Sequence, residues 1–261
     1  ADARVIHHCA DPPFDRWPRE LPPVMIGLIQ AAARSGASVI YADDPSVYGP
    51  VEGPISESLP DRPVGARARV RAGLAGLLLS AHRQGAVSAA IARAPDLFGP
   101  GVVRSALGRP MIEAAMKGLP VPVIGDPDQP HSLCFIRDHA AAMVALAERP
   151  DLHGRIWHTP CAPAVSLRTA LETAGGRPVR LRRASRGLLL ALGLADARLR
   201  AIREITYQFD RPFVLDTTAL EEAAGLAPTP LERALAETRA AFRQAGRPRA
   251  ARLSRRVGAV R

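Results

Sequence analysis

The sequence predicts an α/β protein, a parallel sheet with crossover helices followed by a smaller α-rich region, and three observations lead there. Short runs rich in Val, Ile and Ala recur through roughly the first 160 residues. Stretches of helical period separate them, which is the pattern of parallel strands joined by crossover helices. From about Pro160 the short apolar runs thin out and helical stretches dominate.

Taken in order, the strand candidates are Val5 to Cys9, Ser38 to Ala42, Val87 to Arg93, Val121 to Ile124 and Arg155 to His158. A helix from about Pro22 to Ser35 joins the first two, with Val24, Ile26, Leu28, Ile29 and Ala32 available to cover the sheet. A second, from about Ala68 to His82, joins the next two and places Leu74, Leu77, Leu78 and Ala81 at helical spacing. Further on, Leu167 to Ala174, Ser185 to Leu194 and Arg198 to Tyr207 read as helices, and a short strand, Val179 to Leu181, follows the helix-stop pair Gly175-Gly176. A last amphipathic helix runs from about Leu231 to Gln244, with Thr229 as N-cap and Pro230 at its first position. The expected division is residues 1–160 for the sheet, 161–245 for the α-rich region and 246–261 for a basic tail.

The chain carries a net charge of +10, yet Lys117 is its only lysine and much of the excess lies at the end: Arg243, Arg247, Arg249, Arg252, Arg255, Arg256 and Arg261. No aromatic residue after Phe242 could stack on a base, so the tail reads as a solvated basic end and nucleic acid is not the expected partner. The cysteines Cys9, Cys134 and Cys161 are scattered, with no metal-ligand spacing, and no metal is expected. Apolar runs such as Gly187 to Ala195 fall well short of the roughly 20 residues that span a bilayer. A cytoplasmic chain with no membrane association is the expectation.

Several segments, in this order, resemble the extended short-chain dehydrogenase/reductase family of NAD-dependent epimerases and dehydratases. Val5-Ile6-His7-His8-Cys9-Ala10 is similar to its fourth strand and His-x-Ala-Ala turn. The run from Ser38 to Gly49, ending Val47-Tyr48-Gly49, resembles the fifth strand with its Ser-Ser-x-x-Val-Tyr-Gly close. Arg93-Ala94-Pro95-Asp96-Leu97-Phe98-Gly99-Pro100-Gly101 resembles the Arg-x-x-Asn-x-Tyr/Phe-Gly-Pro-Gly turn that enters the substrate domain. Phe135 to Ala140, Pro212 to Asp216 and Pro228 to Leu231 resemble later family segments. The resemblance reaches to about residue 245. It implies a Rossmann-like domain over residues 1–160, a substrate domain after it, NAD or NADP as cofactor, a small-molecule substrate, and pairing of two copies through the helices near 22–35 and 68–82.

Two family features are absent from the sequence. No GxGxxG or GxxGxxG occurs, so no glycine turn brings a pyrophosphate to a helix N-terminus. Because a strand-like run begins almost at Ala1, the expectation is that two further βαβ units, about 60 residues, belong upstream. Tyr-x-x-x-Lys is also missing. The alignment puts Asp44 where the family has Ser or Thr, Arg67 near its Tyr and Arg71 near its Lys. Arg71 could anchor a ribose or phosphate, whereas an arginine at 67 is a poor proton shuttle at neutral pH.

The resemblance therefore implies Asp44, Arg67 and Arg71 as catalytic candidates, Cys9, Ala10, Ala42 and Pro95 as cofactor contacts, and Tyr48 and Asp96 as substrate contacts. Each has a structural alternative: a turn carboxylate before Pro45 for Asp44, a packed tyrosine for Tyr48, a turn residue for Asp96. Asp138 reads as a helix N-cap, His7 and His8 as core histidines, and His131 as an exposed loop residue. The function expected is an atypical NAD(P)-dependent epimerase/dehydratase-like oxidoreductase, with a non-catalytic binding protein of that fold as the alternative.

Overall fold

The computed structural model describes residues 3–184 and 204–245. The helix expected over 185–194, most of that over 198–207 and the basic tail lie outside those residues.

Four parallel strands, β1 (Val5–His8), β2 (Ser38–Asp43), β3 (Ala89–Arg93) and β8 (Ile156–His158), form the main sheet in the order β1-β2-β3-β8. Period-two alternation sends side chains to opposite faces. Val39, Tyr41, Ala89 and Ile91 meet helices α1 (Trp17–Ser35) and α2 (Gly65–Arg83) on one face. On the other, Ile40, Ala90 and Ala92 meet α4 (Ile136–Glu148) and α6 (Thr218–Ala224). The result is a three-layer α/β/α sandwich.

Helix α1 starts five residues before the expected Pro22. Pro18 lies in its first turn, where a missing N–H costs nothing, while Pro22 and Pro23 sit inside the helix. Burial of Trp17, Leu21 and Met25 against the sheet offsets the lost backbone bonds.

A second core joins Phe98, Leu107, Ile112, Val121, Phe135, Leu171, Leu235 and Phe242, among others. It brings α3 (Arg109–Met116) against α5 (Leu167–Gly175) and α7 (Leu231–Ala245). This core alternates with the first along the chain, since α4, β8 and α6 return to the main sheet between its parts. The run at Val121 does form a strand, β5 (Val121–Val123), but outside the main sheet: it pairs with β10 (Leu181–Arg183). The strand exists where the apolar run predicts it, and tertiary pairing decides which sheet it joins. Strand β4 (Asp96–Phe98) pairs with β7 (Leu133–Phe135), and β6 (Pro130–His131) with β9 (Val165–Ser166).

The expected caps Thr229 and Asp138 instead find each other. Asp138 lies in the first turn of α4, and its carboxylate accepts from the Thr229 backbone N–H (2.8 Å) and hydroxyl (2.7 Å). The pair ties the approach to α7 onto α4.

Candidate active site at the strand ends

Open α/β sheets carry their sites at the C-terminal ends of the strands. At the end of β2, Asp44 accepts a hydrogen bond from the Ser46 N–H (2.9 Å), forming the expected turn. The same carboxylate also receives Arg67 Nη2 at 3.2 Å and lies 3.4 Å from Arg71 Nε. Both arginines come from the first two turns of α2, where a four-residue spacing puts them on one helix face. Burial works against an ionised Asp44, but Arg67, Arg71 and the Ser46 bonds more than overcome it and hold the carboxyl far below its ordinary range.

Arg71 is the hub. Nη1 donates to the Tyr41 hydroxyl (2.8 Å) and the Ala42 carbonyl (3.0 Å), and Nη2 lies 3.5 Å from Asp11, which Arg104 also contacts at 3.4 Å. Beneath, the fully buried Trp17 indole lies under both guanidinium groups, 4.7 Å from Arg67 and 4.3 Å from Arg71, and its N–H donates to the Pro12 carbonyl. Nothing in sequence spacing announced Trp17, Tyr41 or Asp11, which meet Arg71 only through the β1–α1–β2 crossover.

Tyr41 cannot stand in for the missing tyrosine: it is fully buried, and desolvation pushes its phenol above the ordinary range. Tyr48 follows the packed alternative, because it is 1% exposed and its hydroxyl lies 2.8 Å from His158 Nε2. Burial pushes its phenol up to about 12. Its ring faces the buried Arg93, which pairs with Asp43.

Of the other expected contacts, Cys9 and Ala10 are exposed after β1, Ala42 gives its carbonyl to Arg71, and Pro95 is buried after β3. His7 is exposed, contrary to expectation, because strand alternation turns it away from the side that buries His8. His8 stacks on Tyr41 at 5.1 Å, and its Nε2 is buried with no hydrogen-bond partner among the described residues. Burial, with Arg71 nearby, lowers His8 to about 4.

Asp96 and His131 are brought together across β4 and β6. Asp96 Oδ2 lies 2.9 Å from His131 Nε2, and Oδ1 takes longer contacts from Ser105 Oγ and the Ala106 N–H. His131 is buried, correcting its expected exposure. Its ring stacks on Phe209 (4.9 Å) and Phe213 (5.4 Å), residues about 80 positions away that only the fold delivers. Although burial raises the Asp96 carboxyl, the His131 hydrogen bond and charge, helped by Ala106 and Arg67, bring it below its ordinary range. Among the described residues no group of three or more His, Cys, Asp and Glu is placed to hold a metal ion, and no helix is long and apolar enough to cross a membrane.

A parallel sheet covered on both faces, with its charged cluster at the strand ends and a second core beside it, defines a Rossmann-like α/β protein. Residues 24–158 match the model of the NAD dependent epimerase/dehydratase family, and the chain belongs to that family. Solved structures share the fold at low identity. Pal from Bacillus thuringiensis is 14% identical with a TM-score of 0.75, over 94% of this chain and 77% of that one. UDP-glucuronic acid 4-epimerase from Bacillus cereus, in complex with NAD, is 18% identical with a TM-score of 0.73, over 94% and 76%. The dTDP-glucose 4,6-dehydratase from Bacillus anthracis, also with NAD, is 14% identical with a TM-score of 0.72, over 94% and 74%. No curated protein matches the sequence.

Proposed function

We propose that the chain is an atypical NAD(P)-dependent epimerase/dehydratase-like oxidoreductase acting on a hydroxylated small molecule. The observation that carries this reading is the Asp44–Arg67–Arg71 cluster, built at the strand ends on residues that the family motif aligns with its catalytic positions. The residues around it suit the nicotinamide end of NAD or NADP. Cys9, Ala10, Ala42 and Pro95 offer small side chains at three neighbouring strand ends, and the buried His8 Nε2 beside Arg71 has no partner among the described residues. Bound there, the cofactor would supply hydride transfer.

Arg71 would orient the ribose through its fixed guanidinium, since Asp44, Tyr41 and the Ala42 carbonyl already set its direction. Arg67 would lend positive charge to an oxygen that becomes more negative during reaction, and Asp44 would hold both arginines in place. Asp96 would contact the substrate from the second core. Neither arginine can give up a proton near neutral pH, so proton transfer would fall to water or to the substrate's own groups.

One observation favours a second reading, a non-catalytic small-molecule or partner-binding protein of the same fold: the phenols of Tyr41 and Tyr48 are both buried and held in hydrogen bonds. Following the sugar products by NMR together with the absorbance of reduced nicotinamide, with the purified chain and a panel of nucleotide sugars, separates the two, because an epimerase or dehydratase returns the hydride and leaves no net change in its cofactor. Turnover that Asp44→Ala abolishes supports the oxidoreductase. Tight substrate binding with neither a sugar product nor a change in the cofactor supports the binding protein.

A further inference from the structure

The protein is strongly basic as a whole, yet the surroundings of Arg67 and Arg71 are not. Asp44 is in contact with both, Asp11 is shared by Arg71 and Arg104, and the Glu204 carboxylate accepts from the Arg67 backbone N–H at 3.4 Å. Asp96 lies close enough for Arg67 to act on its ionisation. Around these strand ends, among the described residues, the acids Asp11, Asp44, Asp96 and Glu204 stand against the arginines 67, 71 and 104. Arg67 and Arg71 are each in contact with at least one carboxylate, which offsets part of their charge toward an incoming anion.

Asp96 differs from the other acids. Among the described residues its partners are a histidine, a hydroxyl and a backbone N–H, with no arginine within ion-pair distance, and its side chain is 21% exposed while His131 behind it is 5% exposed. The stacked rings of Phe209 and Phe213 fix the imidazole plane, and Nε2 fixes Oδ2. Asp96 is thus a rigid, partly open carboxylate whose remaining lone pairs can only accept. A phosphate or carboxylate placed there would face like charge, whereas an ammonium or hydroxyl would complete its hydrogen bonds.

We infer that Asp96, positioned by His131, forms a subsite for a hydrogen-bond-donating, non-anionic group of the ligand, with a protonated amine favoured over a hydroxyl and a phosphate excluded. This rests on reading the strand ends as the small-molecule site, and it concerns the ligand alone, so cofactor binding can succeed or fail separately.

The test uses the full chain and three ligands with one ring: glucosamine, glucose and glucose 1-phosphate, titrated by ligand-observed NMR without cofactor. The expected order of affinity is glucosamine, then glucose, then glucose 1-phosphate. A charge-assisted bond corresponds to about tenfold between the first two. Asp96→Asn keeps the shape and should bring glucosamine to the level of glucose. Tightest binding of the phosphate, an unchanged order in Asp96→Asn, or no binding of any of the three would overturn the inference. Should Asp96→Asn fail to fold, the order in the unaltered protein decides alone.

Discussion

Arg93 Nη2 lies 2.8 Å from Asp43 Oδ2, and neither side chain is exposed to solvent. The pair joins the last residues of β2 and β3 directly beneath the site, with the Tyr48 ring 4.7 Å from the guanidinium. Removing Asp43 leaves buried Arg93 with only the partly exposed Asp61, whose Oδ1 lies 3.6 Å from Nη1, as a carboxylate partner among the described residues. Asp43→Asn should cost about 3–5 kcal/mol in urea unfolding. Replacing both, as in Asp43→Leu with Arg93→Met, should recover part of that loss; a double variant no better than the single one would contradict this view of the pair.

Trp17 supports both arginines from below. Trp17→Leu keeps an apolar side chain but removes the ring under Arg67 and Arg71 and the N–H bound to Pro12. A loss of about 2–4 kcal/mol is expected from the vacated volume and the missing cation–π contacts. Denaturation followed by circular dichroism checks it, and a change below about 0.5 kcal/mol, the range of ordinary surface substitutions, would mean the indole is not a support.

Buried histidines set the acid side of the stability curve. His8 and His139 are both lowered to about 4, chiefly by burial, and His139 Nδ1 is 2.9 Å from Thr159 Oγ1. Between pH 6.5 and 4 the unfolded chain binds protons at these positions and the folded chain does not. Stability should therefore be level above about pH 7 and fall on acidification, by up to about 1.4 kcal/mol per pH unit for each group. His8→Phe should flatten that slope. Stability that rises between pH 7 and 5 would refute the assignment.

Gly125 has φ +68°, and a Cβ there would come within 2.5 Å of the Phe209 Cβ and 2.7 Å of its backbone. Gly125→Ala should destabilise the fold by about 1–3 kcal/mol and disturb the stack on His131. Binding at Asp96 should weaken with it, which the same NMR titration would register.

Most of the sheet was legible because parallel strands covered on both faces read as short, nearly continuous apolar runs such as Ser38 to Asp43 and Ala89 to Arg93, and the spacing of the helices between them does the rest. The start of α1 was not, because Pro22 and Pro23 carry a local stop signal that the buried Trp17 and Leu21 override. Asp44, Arg67 and Arg71 could be named from aligned positions. Their mutual pairing could not, since the ion pairs depend on how α2 crosses the end of β2. The burial of His131 is hidden from the sequence for the same reason: its local text is a polar turn, and its burial comes from Phe209 and Phe213.

The central claim is that the Asp44–Arg71 end of the sheet holds a nicotinamide cofactor, and calorimetric titration of the full chain with NAD and with NADP tests it most directly. One of the two should bind, with Arg71→Ala weakening it about tenfold, the loss expected when a charge-assisted bond is removed. Absence of heat and of competition from either cofactor, with a folded and monodisperse protein, would contradict the claim.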